Sequence, residues 1–526
     1  MAKVIKAYEA AQLINDNDVV CFCPDSLVGF PNEIVMATKE RFINEGHPAN
    51  ITTLRAAGMG TFAEDDWGEG AWCLDGMLKR SISSYLKVCP ILAKRVAEEK
   101  VQAYMFPMGP ILQMFHEVGR GMPGVLTKIG LGTYMDARFD GGKCNELTKR
   151  EGEDLVEYIP DFRGEEYLFY KSPGMNVALL RGTRADKNGN ISTEKEPIDV
   201  EMLQVAQAVK SSGGIVIVQV EKLVDLHEIH PRMIKVPGIY VDYIVVAEEP
   251  DKVPQTTGRW TAADYNYSFT GDELVDMNSN ADPLPLDHIK VICRRAAQEI
   301  PAGAKANFGI GMPQNIPAVM QECGVADTVT MISETGVIGG IPAKGRDFGC
   351  HWNVEAFCDH GLHFSYFDGG NLDVGVFGLS EVDKDGNLNT SHLNGSVSGI
   401  GGFTDISHTS KKIIFMGTFT AAGLKTQVAD GKLNIVQEGR VKKFVEKCPK
   451  ISFVAEQYLR NHESFLFITE RCVIRRTAEG MILEEIAPGI SIENDILAHC
   501  DARLIIPEGG PRLMDAALFS ENDFTL

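Results

Sequence analysis

Short apolar runs recur along the chain, separated by turn-forming residues and by segments of helical character. The runs NVALL (176–180), GIVIVQV (214–220), DVGVF (373–377) and KIIFMGTF (412–419) have the length and composition of buried strands. Between the members of each pair lies enough chain for a helical crossover, which neighbouring parallel strands require. The pattern therefore predicts an α/β fold with mostly parallel sheets.

One part of this pattern occurs twice. ADKNGNIST (185–193) follows NVALL, and the similar VDKDGNLNT (382–390) follows DVGVF. In each copy an aspartate, Asp186 or Asp383, is placed to cap the turn, and a glycine, Gly189 or Gly386, supplies the positive φ of a tight reversal. We interpret the copies as equivalent strand ends in two related halves of the chain.

A second pair of similar segments supports the duplication. VGFPNEIVMA (28–37) resembles IGMPQNIPAVM (310–320), and each is a glycine turn followed by a helix with proline near its first turn. Farther along, NITTLRAAGMG (50–60) resembles TVTMISETGVIGG (328–340), which aligns Gly58 with Gly336. In this alignment Ala56 is the counterpart of Glu334, so the two halves have similar predicted folds but only the second half has the carboxylate.

These matches predict an N-terminal domain (1–250), a linker (251–284) and a C-terminal domain (285–526). The linker prediction rests on the stretch 248–287, which is rich in Pro, Asp, Asn and Thr. Residues 60–165 have no counterpart in the second half and are interpreted as an insertion. Each domain should be an open α/β unit, with the active site between the two. Because ligands gather at the carboxyl ends of parallel strands, Glu334 is expected there, after DTVTMIS (327–333).

Composition and charge narrow the function. The 526 residues are 44% hydrophobic and 23% charged, as expected of a compact globular protein. The formal net charge of −21 argues against non-specific binding to nucleic acid or anionic membranes. The N-terminal stretch lacks the features of a signal peptide, and no apolar run approaches a membrane span. We therefore expect a cytoplasmic protein without nucleic-acid or membrane partners.

The cysteines offer one candidate metal site. All 12 are scattered and none forms a C-x-x-C pair, which suits reduced thiols in a cytosolic enzyme. CHWNVEAFCDHGLHF (350–364) gathers residue types that zinc uses, namely Cys350, His351, Cys358, His360 and His363. Its spacing fits no familiar zinc pattern, so we prefer ordinary packing to metal binding and predict no metal.

Two glycine-rich loops in the second half are candidates for ligand binding. NFGIGMPQNI (307–316) contains Gly309, Gly311, Met312 and Pro313, and SGIGGFTDIS (398–407) contains Gly399, Gly401 and Gly402. A dinucleotide site is disfavoured because the third glycine of the G-x-G-x-x-G pattern is replaced by Gln314. The loops are then either structural turns or sites where backbone amides bind a ligand or a developing oxyanion.

Glu334 is the main candidate for chemistry, since it stands between an apolar run and a glycine-rich turn in MISETGVIGG (331–340). Most glutamates cap helices or form salt bridges, and the local sequence leaves that interpretation open. The chain contains no G-x-S-x-G elbow, no nucleophilic cysteine signature and no H-E-x-x-H motif. A carboxylate acting by itself is either a general base or a nucleophile.

SETGVIGG resembles the S-E-N-G signature of the family I coenzyme A transferases, with GIGMP upstream and GIGGF downstream at the expected places. The resemblance continues through GGKCNELTK (141–149), VPGIYVDYIVV (236–246), DGKLNIVQEGRVKKF (430–444), ITERCV (468–473) and APGI (487–490). The chain is most similar to single-chain propionate and acetate CoA-transferases, which fuse the α and β parts that other relatives keep as separate subunits.

The resemblance implies a ping-pong exchange of CoA between an acyl-CoA and a free carboxylate. The signature glutamate, here Glu334, would carry CoA as a γ-glutamyl thioester. The two glycine loops would contact CoA, which is a substrate rather than a tightly bound cofactor. Short-chain acids such as acetate, propionate, butyrate or lactate are implied as substrates. A homo-oligomer, commonly a tetramer, is implied as the assembly.

The sequence departs from the family pattern at two places that border the acyl pocket in relatives. Met108 precedes Gly109 where relatives usually carry glutamine, and CFCPDSLVGF (21–30) is less glycine-rich than in many of them. The preferred acid is therefore left open. Two other functions also remain at this point: an acyl-CoA hydrolase that uses the same glutamate, and a non-catalytic ligand-sensing module on the same frame.

Overall fold

The computed structural model describes residues 2–277, 283–393, 395–521 and 523–526. Part of the predicted linker, residues 278–282, lies outside the described residues. Two large sheets organise the chain, one built from strands within residues 3–246 and the other from strands within 305–513. Both are mostly parallel and alternate with helices along the sequence, so the predicted α/β class is confirmed.

The first half of the chain supplies the first large sheet and a small three-stranded sheet. Its strands are β1 (Lys3–Ile5), β2 (Val19–Cys21), β3 (Ile51–Leu54), β4 (Leu78–Ser83), β5 (Gln102–Met105), β6 (Gly124–Thr127), β7 (Val156–Phe162), β8 (Glu165–Lys171), β9 (Val177–Asp186), β10 (Ile191–Ser192), β11 (Ile215–Val224), β12 (Ile234–Val236) and β13 (Tyr243–Val246). The parallel body of the large sheet runs in the order β1-β13-β11-β9-β2-β3-β4-β5. Nearly every side chain of β9 is buried, as expected of a central parallel strand covered on both faces.

The second half supplies the second large sheet and several two-stranded ribbons. Its strands are β14 (Lys305–Phe308), β15 (Thr330–Met331), β16 (Val337–Ile338), β17 (Ile341–Pro342), β18 (His351–Trp352), β19 (Ala356–Phe357), β20 (Val374–Gly378), β21 (Glu381–Val382), β22 (Leu388–Asn389), β23 (His392–Leu393), β24 (Ser396–Val397), β25 (Lys412–Met416), β26 (Thr420–Ala421), β27 (Lys425–Ala429), β28 (Lys432–Gln437), β29 (Val441–Lys442), β30 (Ser464–Ile468), β31 (Cys472–Thr477), β32 (Gly480–Ile486), β33 (Leu504–Ile505) and β34 (Arg512–Leu513). The sheet runs in the order β15-β14-β20-β25-β30-β31-β32-β33 and is parallel from β15 to β30.

The two large sheets repeat one topology. Neighbouring strands run β13-β11-β9-β2-β3 across the first sheet and β30-β25-β20-β14-β15 across the second, with the same chain order in both. Strands β4 and β5 extend the first sheet beyond β3 and have no counterpart beyond β15 among the described strands. Both lie within residues 60–165, so this segment enlarges the sheet itself. The domain bounds drawn from the sequence stay predictions.

The duplicated turns have the same geometry in both halves. Asp186 accepts hydrogen bonds at 2.8 and 3.0 Å from the backbone N–H groups two and four residues farther along, and Asp383 does so at 3.0 and 2.9 Å. Gly189 and Gly386 have φ values of 85° and 82°. The predicted turn chemistry is therefore confirmed in detail, because an aspartate oxygen and a left-handed glycine are used in the same places.

Helices connect the strands and cover the sheets. They are α1 (Ala7–Gln12), α2 (Asn32–Glu45), α3 (Pro90–Ala97), α4 (Met108–Gly119), α5 (Glu146–Glu151), α6 (Met202–Ser211), α7 (His288–Ala297), α8 (Ile316–Glu322), α9 (His360–Asp368), α10 (Phe403–Thr409) and α11 (Ala455–Leu459). Across the described ranges, none of these helices is long and apolar enough to cross a bilayer.

Helix α4 joins the two halves. It packs against α6 of the first half and against α9 of the second. Met108 and Ile111 of α4 belong to the same buried apolar cluster as Phe364 and Phe367 of α9. Burying each such side chain contributes about 1.5–3 kcal/mol, so the shared core holds the halves in one fixed arrangement. The candidate site lies at this junction.

Candidate active site

A cavity of about 770 Å³ lies between the two halves. Its wall includes Asp25, Tyr85 and Met108 from the first half and Glu334 and Gly401 from the second. The first four of these follow β2, β4, β5 and β15 in the chain, so the cavity lies at the carboxyl ends of both large sheets. Parallel sheets bind their ligands at this edge, and the volume suits an elongated small molecule.

Glu334 occupies the tip of a tight turn that follows β15. The Ser333 N–H donates to the Val337 carbonyl oxygen at 2.9 Å and closes the turn. Gly336 has a φ of 89°, and a β carbon there would lie 2.1 Å from the Cys358 carbonyl oxygen, so only glycine fits. The backbone therefore fixes the position from which Glu334 reaches the cavity wall.

The second glycine loop meets Glu334 at the start of α10. Ile400 and Gly401 donate backbone hydrogen bonds to the Ser84 carbonyl oxygen at 2.8 and 3.0 Å, which anchors the loop to the first half. The Gly402 N–H then donates to Glu334 Oε2 at 3.3 Å. A β carbon on Gly402 would lie 2.7 Å from the same oxygen. Glycine is required at this position because the carboxylate approaches the backbone itself.

The other predicted glycine-loop contacts divide into two groups. Gly309 and Gly399 line the cavity together with Glu334. Three predicted contacts lie outside the cavity wall: Gly311, Met312 and Pro313. The Gly311 N–H donates to the Gln314 side chain at 2.9 Å, so this amide is already satisfied within the protein. The structure thus gives no support for Gly311 as an oxyanion donor.

Glu334 is half-buried, with its carboxylate facing the cavity and enclosed by protein on its other sides. Burial raises its pKa to about 7, and the negative charge of Asp25 adds to the rise, while the charge of His360 and the Gly402 N–H oppose it. Part of the population is therefore ionised at neutral pH. An ionised carboxylate that is poorly hydrated is a stronger nucleophile than one in water.

A buried histidine begins the segment that packs against the Glu334 turn. The Cys358 N–H donates to the Gly336 carbonyl oxygen at 2.8 Å, and a β carbon on Gly336 would lie 3.7 Å from the His360 backbone nitrogen. His360, the first residue of α9, contacts Glu201 Oε2 through Nδ1 at 2.9 Å, and both side chains are 1% exposed. Burial lowers the pKa of His360, but the charge and hydrogen bond of Glu201 outweigh this, and Asp25 and Glu334 raise the pKa further. Burial raises the pKa of Asp25 to about 6. The site therefore combines two cavity-lining acids with one buried imidazole.

Two of the residues considered as zinc ligands, His351 and His360, have other partners. His351 donates through Nδ1 to the Gly339 carbonyl oxygen at 2.7 Å, and His360 pairs with Glu201. Within the described part of the chain, no group of three or more His, Cys, Asp or Glu residues is arranged to hold a metal ion.

Met108 forms a fixed part of the cavity wall. It is 2% exposed and begins α4, where its N–H donates to the Gly401 carbonyl oxygen at 3.2 Å. The next amide, that of Gly109, donates to Asp405 Oδ1 at 3.1 Å. These two bonds tie the start of α4 to the Gly401–Gly402 loop and to α10, so the side chain of Met108 is held close to Glu334.

Sequence reasoning did not identify Asp25, Tyr85 or His360 as parts of the site. Asp25 lies in a turn whose next residue, Ser26, has a φ of 56° and donates its N–H to the Gly58 carbonyl oxygen at 2.8 Å. Such left-handed conformations in residues other than glycine concentrate at functional sites, but the sequence gives no sign of them. His360 was noticed only as a possible metal ligand.

Comparison with known proteins assigns the chain to a family. Residues 4–247 and 290–496 match the sequence model of the family described as coenzyme A transferase. The chain is 40% identical over 529 residues to the caffeate CoA-transferase of Acetobacterium woodii, a match that covers 99% of this chain and 98% of the relative. It is 38% identical over 523 residues to the acetate CoA-transferase YdiF of Escherichia coli K12, covering 98% and 95% of the two chains.

Solved structures agree with this assignment. The crystal structure of the acyl-CoA transferase YdiF apoenzyme from Escherichia coli O157:H7 superposes with a TM-score of 0.92 at 36% identity, covering 99% of this chain and 97% of that one. A thioester complex of the same enzyme with CoA superposes with a TM-score of 0.91. The full-length match, the shared fold and the cavity with its glutamate lead to one conclusion. The protein is a CoA-transferase, a member of the coenzyme A transferase family.

Proposed function

We propose that the enzyme moves CoA between a short-chain acyl-CoA and a free short-chain carboxylate, with Glu334 as the covalent carrier of CoA. The observation that carries this proposal is the position of the Glu334 carboxylate on the wall of the inter-half cavity, against the Gly402 N–H. A carboxylate placed in this way reacts by nucleophilic attack without needing a partner base, because its ionised form is already populated near neutral pH.

The reaction begins with attack of a Glu334 oxygen on the acyl thioester carbonyl carbon. The carbon–sulfur bond breaks, the CoA thiolate leaves, and a mixed anhydride joins Glu334 to the acyl group. The thiolate then attacks the glutamyl carbonyl carbon and expels the acyl group as a free carboxylate. The product is a γ-glutamyl-CoA thioester, and the same steps in reverse with a second carboxylate give the new acyl-CoA.

Gly402 supports the second attack. In the resting enzyme its N–H donates to Glu334 Oε2 at 3.3 Å. Within the anhydride, a glutamyl oxygen at this position becomes a carbonyl oxygen, and it gains negative charge as the thiolate adds. A donor at such a position contributes about 2.7–4 kcal/mol to stabilisation of the transition state. We assign this donor role to Gly402, while Gly309, Gly399 and Gly401 let the backbone approach the ligand closely.

CoA carries phosphate groups, and the protein has a strongly negative net charge of −21. Two exposed lysines on the cavity wall, Lys87 and Lys94, supply positive charge where such a ligand would enter. Neither side chain forms an ion pair within the described ranges, whereas lysines such as Lys39, Lys143 and Lys210 do. We propose that Lys87 and Lys94 contact the CoA phosphates, which places the reactive thioester end toward Glu334.

The proposed acids are small. Packing around Glu334 is tight, since a β carbon on Gly402 would lie 3.0 Å from Phe364 Cζ and 3.2 Å from Ile406 Cδ1. Met108 closes the wall beside Gly401. One methylene in an apolar pocket is worth only about 1–3 kcal/mol, so we expect several small acids to be accepted. The acetate CoA-transferase at 38% identity supports this size class.

Acceptor dependence tests the proposal. Incubating the enzyme with propionyl-CoA should give acetyl-CoA only when acetate is added, with the parallel reciprocal plots of a ping-pong reaction. Glu334→Ala should abolish the exchange, and Glu334→Asp should be severely slowed because the carboxylate is one methylene too short. Rapid release of free CoA without an acceptor would instead identify a hydrolase. Faster transfer to caffeate than to acetate would refute the proposed substrate class while leaving Glu334 as the carrier.

Two further features belong to the proposal rather than to the observations. We propose a cytoplasmic location, in line with the sequence analysis, and a homo-oligomer, commonly a tetramer in similar enzymes. Light scattering tests the assembly directly. A monomeric mass in solution would contradict the assembly and leave the chemistry of Glu334 untouched.

A further inference from the structure

Four titratable side chains from four segments of the chain interact with one another around Glu334. Asp25 comes from the turn after β2, Glu201 precedes α6, His360 begins α9 and Glu334 follows β15. Asp25 is 8% exposed, and Glu201 and His360 are each 1% exposed. The steps described above use only Glu334, so the presence of the other three requires its own explanation.

The imidazole of His360 is held on one side only. Its Nδ1 contacts Glu201 Oε2 at 2.9 Å, while Nε2 is buried and has no hydrogen-bond partner in the described part of the chain. A buried ring nitrogen without a partner costs about 1–3 kcal/mol. The contact between Glu201 and Nδ1 fixes the orientation of the imidazole ring, and this also fixes the direction in which Nε2 points.

The surroundings of His360 and Glu334 are dominated by negative charge. Six titratable groups on the surrounding segments interact electrostatically with Glu334 or His360. They are Asp25, Tyr85, Asp199, Glu201, His363 and Asp405. Burial raises the pKa of Asp405 well above its ordinary value, and burial lowers the pKa of His363 to about 4, so His363 is neutral at physiological pH. Burial likewise raises the pKa of Tyr85, which keeps it neutral. The nearby cation Lys235 is already paired with Asp199 at 2.7 Å and with Asp359 at 2.5 Å. Among these described groups, His360 is therefore the cation that acts on Glu334 and Asp25.

We propose that His360, oriented by Glu201, is the counter-ion of the Glu334 and Asp25 carboxylates and acts as a positioning residue that keeps the nucleophile ionised in a buried site. This inference rests on the proposed role of Glu334 as the nucleophile. Glu201 balances the charge of His360 and prevents the ring from rotating. Asp25 acts in the opposite sense, since its negative charge opposes ionisation of Glu334.

The arrangement makes two predictions of opposite sign for one measurable quantity. Removing the positive charge at His360 should make Glu334 harder to ionise, so the acid limb of the kcat/KM profile moves to higher pH. Removing the negative charge at Asp25 should make Glu334 easier to ionise, so the limb moves to lower pH. A neighbouring charge typically shifts the pKa of a carboxylate by roughly one unit or more. A merely structural role for either residue would lower activity without moving the limb.

The test is the pH dependence of kcat/KM for propionyl-CoA with acetate in wild type, His360→Gln, Glu201→Gln and Asp25→Asn. We expect the acid limb to rise by roughly one pH unit in His360→Gln and in the same direction in Glu201→Gln, and to fall by a similar amount in Asp25→Asn. His408→Gln is the matched control. His408 is half-buried and its Nδ1 atom is buried without a hydrogen-bond partner, but the groups that act on it are Gln457, His462 and Arg460, and none is a carboxylate.

Each outcome decides the inference. Shifts of opposite sign in His360→Gln and Asp25→Asn, with none in His408→Gln, support it. Unchanged limbs in His360→Gln and Asp25→Asn, together with an inactive Glu334→Ala, would overturn the counter-ion role while leaving the proposed function intact. An active Glu334→Ala would instead overturn the proposed function. If His360→Gln does not fold, Glu201→Gln and Asp25→Asn still give shifts of opposite sign or refute the inference.

Discussion

Gly402→Ala places the smallest possible side chain against the Glu334 carboxylate, the proposed nucleophile. The new β carbon would lie 2.7 Å from Glu334 Oε2, a distance that neither group can tolerate. Gly402 itself has a φ of −83°, so alanine adopts the backbone without strain. The carboxylate must move, which breaks the 3.3 Å hydrogen bond and misplaces the attacking oxygen. Losing one such donor lowers kcat by about 100-fold to 1,000-fold, and this is the loss we predict.

Steady-state kinetics of propionyl-CoA to acetate transfer measures the effect, and thermal unfolding measures the accompanying loss of stability. Overpacking typically costs about 1–3 kcal/mol, so Gly402→Ala should remain folded at room temperature. Gly378→Ala is the matched control, because Gly378 lines the same cavity and a β carbon there meets nothing within 4 Å. We expect the control to keep its kcat. The reasoning would be refuted by a Gly402→Ala enzyme with near-normal kcat, or by an equal loss in Gly378→Ala.

Three further predictions follow from the cavity. Met108→Gln replaces an apolar wall residue by a hydrogen-bonding one, so kcat/KM for lactate relative to propionate should rise, and an unchanged ratio would remove Met108 from the acyl pocket. Lys87→Glu and Lys94→Glu should each raise the KM for acyl-CoA with little change in kcat, most strongly at low salt, while the exposed Lys425→Glu on β27 should not. Burial raises the pKa of Glu334 to about 7 from an ordinary 4.5, so the folded state binds the Glu334 proton more tightly than the unfolded chain does. The free energy of unfolding of the wild type therefore falls as the pH rises from 4.5 to about 7. Denaturant unfolding should therefore show that Glu334→Gln is more stable than the wild type at pH 8, by about 1 kcal/mol or more. The difference should shrink toward pH 4.5. Equal stability of the two proteins at pH 8 would contradict the burial of the Glu334 charge.

The fold was largely predictable from local pattern. Continuous apolar runs such as those of β9 and β11 are typical of parallel strands covered on both faces, and the duplicated aspartate and glycine turns mark equivalent strand ends. Residues 60–165 were interpreted as an insertion that elaborates the first half, and the sequence did not indicate that β4 and β5 within it extend the first sheet. No local pattern distinguishes a strand that joins a distant sheet from one that forms a separate unit, since pairing depends on contacts far apart in sequence.

The site was predictable only in part, for a physical reason. Glu334 and Gly402 lie in short glycine-containing motifs, and such motifs are typical of tight turns and of places where the backbone approaches another group closely. Asp25 and His360 are isolated residues that become relevant because strand ends from both halves meet at the cavity. Gly311 stays a prediction, and its N–H is bonded to the Gln314 side chain, a partner that the motif alone does not reveal. Motifs report local geometry, whereas charge clusters arise from tertiary structure.

The central claim is that Glu334 carries CoA covalently. Incubating the intact enzyme with propionyl-CoA and measuring its mass tests this directly. The account predicts a mass increase equal to coenzyme A less one water, located on the peptide that contains Glu334, released by hydroxylamine and absent from Glu334→Gln. An enzyme that turns over but never shows this adduct, or an adduct on another residue, would contradict the account.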